Sequence, residues 1–257
     1  MDPFLGVVVA IAGLSLGMLL MCEIGRRIGI RSIRKYASGL AKGTGAAEAA
    51  VFGLLGLLLA FTFSGAASRF EDRRDLIVEE ANAISTAYLR MDLLPAEAQP
   101  GLRALFREYA QVRYSVYHNA QDREATMAKL ARSAELQNRI WQQVMANCRQ
   151  PTTPSQVTML VLPALNDMID ITSTRVGATQ NHPPLVIFLL LGGLSLVGAL
   201  LVGYGGAETP QRNWLHSLLF SAVLPLTVYV ILDLEFPRVG MVRVDAADQM
   251  LLELPGH

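Results

Sequence analysis

The chain has 257 residues, and its 22 basic and 22 acidic side chains give a formal net charge of zero. This balance argues against a nucleic-acid surface and against a polyanionic partner. Charged residues make up only 17% of the chain, whereas an average soluble domain has about 25%. The deficit lies in four apolar blocks, so the composition excludes an ordinary soluble domain.

The four apolar blocks predict four transmembrane helices. They cover about residues 3–24, 46–67, 184–204 and 214–232. About 20 apolar residues, each with a rise of 1.5 Å, cross the hydrocarbon core of a bilayer, which is about 30 Å thick. The first block is predicted to be a retained anchor, because a secretory signal peptide begins with basic residues and here the basic residues follow the block.

The connection between the first two blocks sets the predicted orientation. Its basic residues are Arg26, Arg27, Arg31, Arg34, Lys35 and Lys42. By the positive-inside rule, residues 25–46 are predicted to be cytoplasmic and residues 68–183 to lie outside, with the protein in the inner (plasma) membrane of the cell. Basic residues at the two ends of the long middle segment nearly balance this count, but the rule discounts long segments.

Small residues recur at four-residue spacing inside the blocks. They are Gly13 and Gly17, then Gly56 and Ala60 with Ser64 and Ser68 after them, and finally Ala199 and Gly203. Small residues let helix backbones approach closely in lipid, which predicts helix-packing faces at these positions. Glycine is also frequent in membrane helices in general, and the sequence leaves that alternative open.

Residues 68–183 are predicted to form a helical bundle. No Gly or Pro interrupts residues 66–94, and their apolar stripe predicts one helix that continues the second span. Three more apolar stripes predict three further helices, and Met127 and Ala134 are assigned to the buried face of the middle one. At the start of the last helix, Thr153 and Gln156 are predicted to form a capping box.

The predicted fold class is all-α. We expect a polytopic membrane protein with four transmembrane helices and an extramembrane helical bundle inserted between the second and third. The predicted segments are residues 1–67 with the first two spans, 68–183 with the bundle, 184–234 with the last two spans, and 235–257 as a C-terminal tail.

No pattern in the sequence is typical of catalysis or of metal binding. The four histidines are scattered, and none has a partner at the spacing of metal ligands. Glu79 and Glu80 are interpreted as solvated charges on an exposed helix face. The protein is predicted not to be an enzyme and to need no cofactor or metal, and Cys22 and Cys148 are predicted to be unpaired thiols.

A cluster of charges follows the apolar part of the second span. Its members are Arg69, Glu71, Asp72, Arg73, Arg74 and Asp75. One interpretation is a belt of charges at the membrane surface. The other is a pore mouth, because each charge repeats as a ring if this helix lines the axis of an oligomer. Phe61 and Phe63 are then candidates for a hydrophobic constriction and Ser64 for the pore lining, but the two phenylalanines point about 200° apart, so at most one faces the axis.

The sequence around this cluster resembles a known family. The run LLGLLLAFTFSGAASRFEDRRDLIVEEANAISTAYLRMDLLP and the later run DLEFPRVGMVRVD are similar to the bestrophin-like family of mostly bacterial membrane proteins. That family is distantly similar to the bestrophin anion channels, whose pore helix carries a phenylalanine, an alanine and then an R-x-x-E-x-R-like segment. The corresponding residues here are Phe61, Ala66, Arg69, Asp72 and Arg74.

The sequence departs from the bestrophins at several points. Asp72 replaces their usual glutamate, Thr62 stands where arginine is common, and the tryptophan after the motif and the acidic calcium-binding segment are missing. Bestrophins also keep the helix after the pore segment in the cytoplasm, which conflicts with the orientation predicted from charge. The resemblance therefore implies a helical, oligomeric membrane assembly more firmly than a particular ion.

The resemblance implies an oligomer with an anion-permeable pore lined by the second transmembrane helix. Phe61 or Phe63 would form the constriction, and Arg69, Arg73 or Arg74 would attract anions. The implied partners are the lipid bilayer, copies of the same chain and small anions, with no nucleic acid. The alternative belongs to another class: a non-conducting membrane scaffold or sensor whose helical domain binds a partner.

Overall fold

A computed structural model describes residues 3–35, 44–118, 123–209, 214–238 and 240–253. Its longer helices are α1 (Pro3–Lys35), α2 (Thr44–Arg90), α3 (Gln99–His118), α4 (Arg123–Cys148), α5 (Ser155–Gln180), α6 (Leu185–Gly205) and α7 (Trp214–Glu235). A short helix α8 (Asp245–Asp248) follows, and 3₁₀ turns cover Met91–Leu93, Gly206–Glu208 and Gln249–Leu252. These residues include no β-strand, so the predicted all-α class is confirmed.

The described residues fall into two compact units. The first unit comprises residues up to Phe70 and the segment His182–Val242, and the second comprises Glu71–Asn181 and the residues from Arg243 onward. Helix α2 is continuous, as predicted, and contributes its first part to one unit and its second part to the other.

The first unit contains the apolar helices. Helices α1, α2, α6 and α7 are each long and apolar enough to cross a membrane, which confirms the four predicted spans. Pro184 precedes the first residue of α6 as its N-cap, and its fixed φ suits a helix start. All four helices contribute to one apolar cluster, with Met18, Leu55, Leu191, Ala199 and Leu224 among its buried members.

Helices α1 and α6 approach each other at their glycines. A Cβ added to Gly203 would lie 1.9 Å from the carbonyl oxygen of Cys22, and one added to Gly25 would lie 2.0 Å from that of Leu200. Real Cβ atoms do not come so close to backbone oxygen, so these positions require glycine. The contact is an example of close backbone packing through small residues, which is typical of helices in lipid.

The second unit is a bundle around a side-chain core. The second part of α2 and helices α3, α4 and α5 bury a cluster that includes Ile84, Phe106, Tyr109, Ile140 and Met168. The stripes predicted for α2, α3 and α5 lie in this core. The stripe predicted for α4 is wrong at Met127 and Ala134, which are exposed, because Leu136 and Ile140 turn the neighbouring face inward.

The predicted C-terminal tail is not a separate segment. Residues 235–242 belong to the first unit, and the described residues from Arg243 to Glu253 cluster with the second. Leu251 is buried in the core of the bundle, and Asp248 forms a buried ion pair with Arg175 at 2.5 Å. Burial of a leucine and a paired carboxylate explains why this segment belongs to the bundle.

The capping box predicted at the start of α5 is absent. The N-cap is Pro154, and no side chain caps the helix. The hydroxyl of Thr153 instead donates to the carbonyl oxygen of Asn147 at 2.8 Å. Carbonyl groups at the end of a helix have no helical N–H partner, and one of them, that of Asn147, binds the Thr153 hydroxyl that the capping box would require.

Candidate pore-lining helix

Helix α2 has two different faces along its length. Between Leu55 and Ile84, its buried residues are Leu55, Thr62, Ala66, Arg73, Ile77, Glu80 and Ile84. They recur at intervals of three, four or seven residues, which keeps them on one side of a helix. The opposite side carries exposed residues, namely Gly53, Leu57, Ala60, Ser64, Ser68, Glu71 and Asp75. We call this opposite side the outer face of α2.

The two predicted constriction candidates, Phe61 and Phe63, lie at different angles from the outer face, whose centre is marked by the predicted pore-lining residue Ser64. Ser64 is exposed and lies at its middle. Phe61 is 68% exposed and Phe63 is 45% exposed. At 100° per residue, Phe61 lies about 60° from Ser64 and Phe63 about 100° from it on the other side. Phe61 is therefore the phenylalanine nearer to the outer face.

Arg69 is held by a buried carboxylate at the end of α7. Glu235 is fully buried and accepts hydrogen bonds from Arg69 Nη2 at 2.7 Å and Arg69 Nε at 2.9 Å. Nδ1 of His182 lies 2.9 Å from the other carboxylate oxygen, and the His182 ring stacks on Phe236 with centroids 4.7 Å apart. A buried carboxylate needs such partners, because an isolated buried charge is strongly disfavoured.

A second buried carboxylate of α7 organises the turn that follows the helix. Asp233 accepts hydrogen bonds from the backbone N–H groups of Met241 at 3.0 Å and Val242 at 3.0 Å. A Cβ on Gly240 would lie 1.6 Å from Oδ1 of Asp233, so a larger residue there would displace the carboxylate from these hydrogen bonds. Asp233, Glu235, Phe236 and Gly240 all belong to the run DLEFPRVGMVRVD.

The remaining residues of the charge cluster divide into buried and exposed members. Arg73 is buried and donates to the carbonyl oxygens of Ala178 at 3.2 Å and Asn181 at 2.9 Å, at the end of α5. Those carbonyls lack helical partners, so Arg73 acts as a C-terminal cap. Asp72 and Arg74 are exposed. Arg74 is thus the arginine of the cluster that the chain leaves at the surface.

A network of buried charges lies deeper in the bundle. Glu80 accepts from Arg113 Nε at 2.5 Å and from Arg175 Nη1 at 2.5 Å, and Arg175 also pairs with Asp248. All four side chains are buried, and their formal charges cancel. Burial alone raises the pKa of Glu80, but the guanidinium groups of Arg113 and Arg175 outweigh it and hold that pKa below its ordinary value.

This network corrects the interpretation of the adjacent glutamates. Glu79 is exposed, as predicted, whereas Glu80 is fully buried and paired and is not a solvated charge. The two residues are 100° apart on α2, so neighbouring acids can face solvent and core respectively. Cys22 and Cys148 are not joined by a disulfide, as predicted.

The small residues predicted to pack helices also divide into two groups. Gly17, Ala199 and Gly203 lie inside the first unit, where a Cβ on Gly17 would be 3.2 Å from Leu196 and Ala199 is fully buried. Gly13 and Gly56 have no atom within 4 Å of an added Cβ, and Ala60 is exposed. The second group therefore faces away from the described part of its own chain.

Several of these residues were not predicted from the sequence. Gly25 and Gly29 make close contacts on α1 but lie beyond the block taken as the first span. Asp233 and Glu235 could have been predicted to have partners, because two acidic residues at the end of an apolar helix are energetically costly without them. His182 could not, since its partner Glu235 is 53 residues away in sequence.

The chain matches the model of a known protein family. The family model of the bestrophin-like domain matches residues 43–248, which is most of the sequence. The chain belongs to the bestrophin-like domain family. Both runs that carried the resemblance lie within the matched region, so the predicted family is confirmed.

Solved structures share the fold of this bestrophin-like protein. The similar structures include crystal structures of a bacterial bestrophin homolog from Klebsiella pneumoniae. A tryptophan-to-alanine mutant of that homolog matches this chain with 16% sequence identity and a TM-score of 0.70, and the match covers 98% of both chains. A leucine-to-threonine mutant matches at 15% identity and TM-score 0.70, covering 96% of this chain and 99% of the other. A search of curated proteins found no match. At such identity the structures show the fold, and the bestrophin-like protein is a helical membrane protein.

Proposed function

We propose that this bestrophin-like protein is a homo-oligomeric channel of the bacterial inner membrane, permeable to small anions and lined by α2. The observation that carries the proposal is the outer face of α2. Within the apolar part of the helix, this face carries four small residues, Gly53, Ala60, Ser64 and Ser68, and one large apolar residue, Leu57, which is a composition poorly suited to lipid alone. Small and hydroxylated side chains suit either close subunit contact or a water-filled axis.

The candidate constriction is Phe61. It is the more exposed phenylalanine and lies nearer to the outer face, so a ring of Phe61 side chains would narrow the axis. Apolar rings of this kind gate channels by excluding water. Ser64 would follow it, one helical turn further along the pore.

The charges of α2 bear on the choice of ion. Arg69 and Arg73 are engaged by Glu235 and by backbone carbonyls, so attraction of anions falls to Arg74. Glu71 and Asp75 lie on the outer face itself and oppose it. Anion permeability is therefore proposed from the family relationship, with Arg74 as the residue that supports it.

The experiment is bilayer recording of the purified protein, combined with imaging of its oligomeric state. Phe61→Ala should raise single-channel conductance, because it removes the narrowest ring. Phe63→Ala is the matched control, since it removes the same side chain from a different side of α2 and should leave conductance near that of the parent. Equal effects of the two changes would contradict the assignment of the pore face.

Ion selectivity is tested separately by reversal potentials under a salt gradient. Arg74→Gln should lower the permeability to anions relative to cations, and Asp75→Asn should raise it. A cation-selective parent channel would overturn the choice of ion and leave the channel itself standing. An oligomer that stays silent in all conditions would favour the non-conducting scaffold or sensor.

The proposed orientation, with residues 68–183 outside, is tested by cysteine labelling in intact cells. A cysteine at Met159, which is 74% exposed, should react with an impermeant thiol reagent, and one at the exposed Arg31 should not. Both are made in a background in which Cys22 and Cys148 are serine. The reverse labelling pattern would place the bundle in the cytoplasm.

A further inference from the structure

A cavity of about 290 Å³ lies in the first unit between α1, α6 and α7. Its lining includes Arg26 from α1, Gly203 from α6, and Trp214, His216 and Ser217 from α7. The cavity adjoins the ends of three apolar helices, and Trp214 is the kind of residue that marks a membrane interface.

The polar end of this cavity carries positive charge. Nη1 of Arg26 donates to the carbonyl oxygen of Gly206 at 3.1 Å, which fixes the guanidinium at the cavity wall. A guanidinium has five N–H donors, and this bond takes one of them. Ser217 and Thr209, which both carry hydroxyl groups, also line the cavity.

The start of α7 adds to this positive potential. The lining residues Trp214, His216 and Ser217 all lie in its first turn. The first turn of a helix has N–H groups without helical acceptors and a partial positive charge. None of the lining residues that the structure describes is acidic. The polar end is therefore suited to an anion.

The other end of the cavity is apolar. Leu19, Val202 and Leu218 form this part of the lining. Leu19 precedes Arg26 by two helical turns, about 10 Å along α1 toward the middle of the span. The cavity thus offers cationic and hydroxyl groups at the level of lipid headgroups and apolar side chains at the level of the acyl chains.

We propose that this cavity binds a membrane phospholipid. The phosphate would accept hydrogen bonds from Arg26, whose planar guanidinium suits phosphate oxygens, and from the hydroxyl of Ser217. One acyl chain would follow Leu19 and Leu218 into the bilayer. Basic pockets between transmembrane helices bind anionic headgroups in this way. The proposal does not depend on whether the protein conducts ions.

The test is native mass spectrometry of the full chain in detergent, titrated with phosphatidylglycerol and, in a second arm, with inorganic phosphate. Arg26→Gln should weaken binding of the lipid by about tenfold or more, as expected for loss of a charge-assisted hydrogen bond. Arg27→Gln is the matched control: Arg27 is its neighbour on α1, is 69% exposed on its side chain and pairs with Glu23. It should bind the lipid as the parent does.

A second variant guards against a folding defect in Arg26→Gln. Ser217→Asp places a carboxylate in the cavity, where it should repel the phosphate by a similar factor, while an acid in the first turn of α7 favours the helix. Equal weakening by Arg26→Gln and Arg27→Gln, or full binding by Ser217→Asp, would overturn the proposal. Binding of inorganic phosphate as tight as that of the lipid would overturn the assignment to a lipid.

Discussion

The two units of the molecule achieve helix packing by different means. In the first unit, α1 and α6 meet where Gly25 and Gly203 allow backbone to touch backbone. In the second unit, helices are separated by large side chains such as Phe106 and Tyr109 and are joined by the buried charges around Glu80. The glycine contacts of the first unit leave no room for an added methyl group. In the second unit, removal of one buried charge would leave its partner without a counter-charge.

The difference reflects the surroundings predicted for each unit. In lipid, burial of apolar side chains gives little driving force, so packing depends on shape and close approach. In water, burial of apolar area is the dominant favourable term and supports a core of large residues. A buried ion network is then tolerated if every charge has a partner.

The largest expected effect is that of Glu80→Gln on the second unit. It leaves Arg113 and Arg175 without the carboxylate that lies between them, and breaking a buried pair in this way costs about 3–5 kcal/mol. The measurement is urea unfolding of the full chain in detergent, followed by fluorescence of Trp141, which packs on the bundle core, in a Trp214→Phe background. Glu79→Gln, on the exposed neighbour, should change stability by less than about 0.5 kcal/mol.

A smaller effect is expected for Gly203→Ala in the first unit. The added Cβ meets the backbone of Cys22, so α1 and α6 must separate, at about 1–3 kcal/mol for overpacking. The reporter is Cys22 itself, whose thiol is buried and should react faster with a maleimide in a Cys148→Ser background. Gly13→Ala has open space for its methyl group and should leave the rate unchanged. An equal rate in both variants would show that the helices are not held by close glycine contact.

The smallest expected effect is a loss of bundle stability in acid. The pKa of Glu80 is lower in the folded protein than its ordinary value of 4.5, so the unfolded chain binds the proton more readily. The stabilisation is therefore complete above about pH 4.5 and is lost as the pH falls through the lower, folded pKa. The urea midpoint should therefore be steady above about pH 4.5, should fall as the pH is lowered below that value, and should fall less in Glu80→Gln. An identical fall in both would assign the effect to other carboxylates.

Local pattern was enough to predict the helices of both units. The spans follow from apolar length, and the continuity of α2 follows from the absence of Gly and Pro between residues 66 and 94. The contacts around Glu80 could not be predicted, because its partners lie 33 and 95 residues away. Periodicity shows which face of a helix is apolar, but it does not show which distant arginine meets an acid on that face.

The candidate site was predictable to a similar degree. The cluster after the second span was found from its charges, but the roles of Arg69 and Arg73 depended on Glu235 and on the end of α5, which are distant in sequence. Met127 and Ala134 show a second limit. Helix α4 has two neighbouring apolar stripes, and the spacing of the residues does not show which one is buried. The structure buries the stripe with Leu136 and Ile140 and leaves Met127 and Ala134 exposed.

The position of Asp248 in the chain has a consequence for biosynthesis. Glu80, Arg113 and Arg175 are synthesised before the fourth apolar helix, and Asp248 only after it. The bundle therefore cannot complete its charge network until the ribosome has passed the last span. A nascent chain that stops early would retain an unbalanced buried arginine and an incomplete core, and such a chain is a substrate for proteases. Completion of the fold of the second unit thus reports that the four apolar helices have been made.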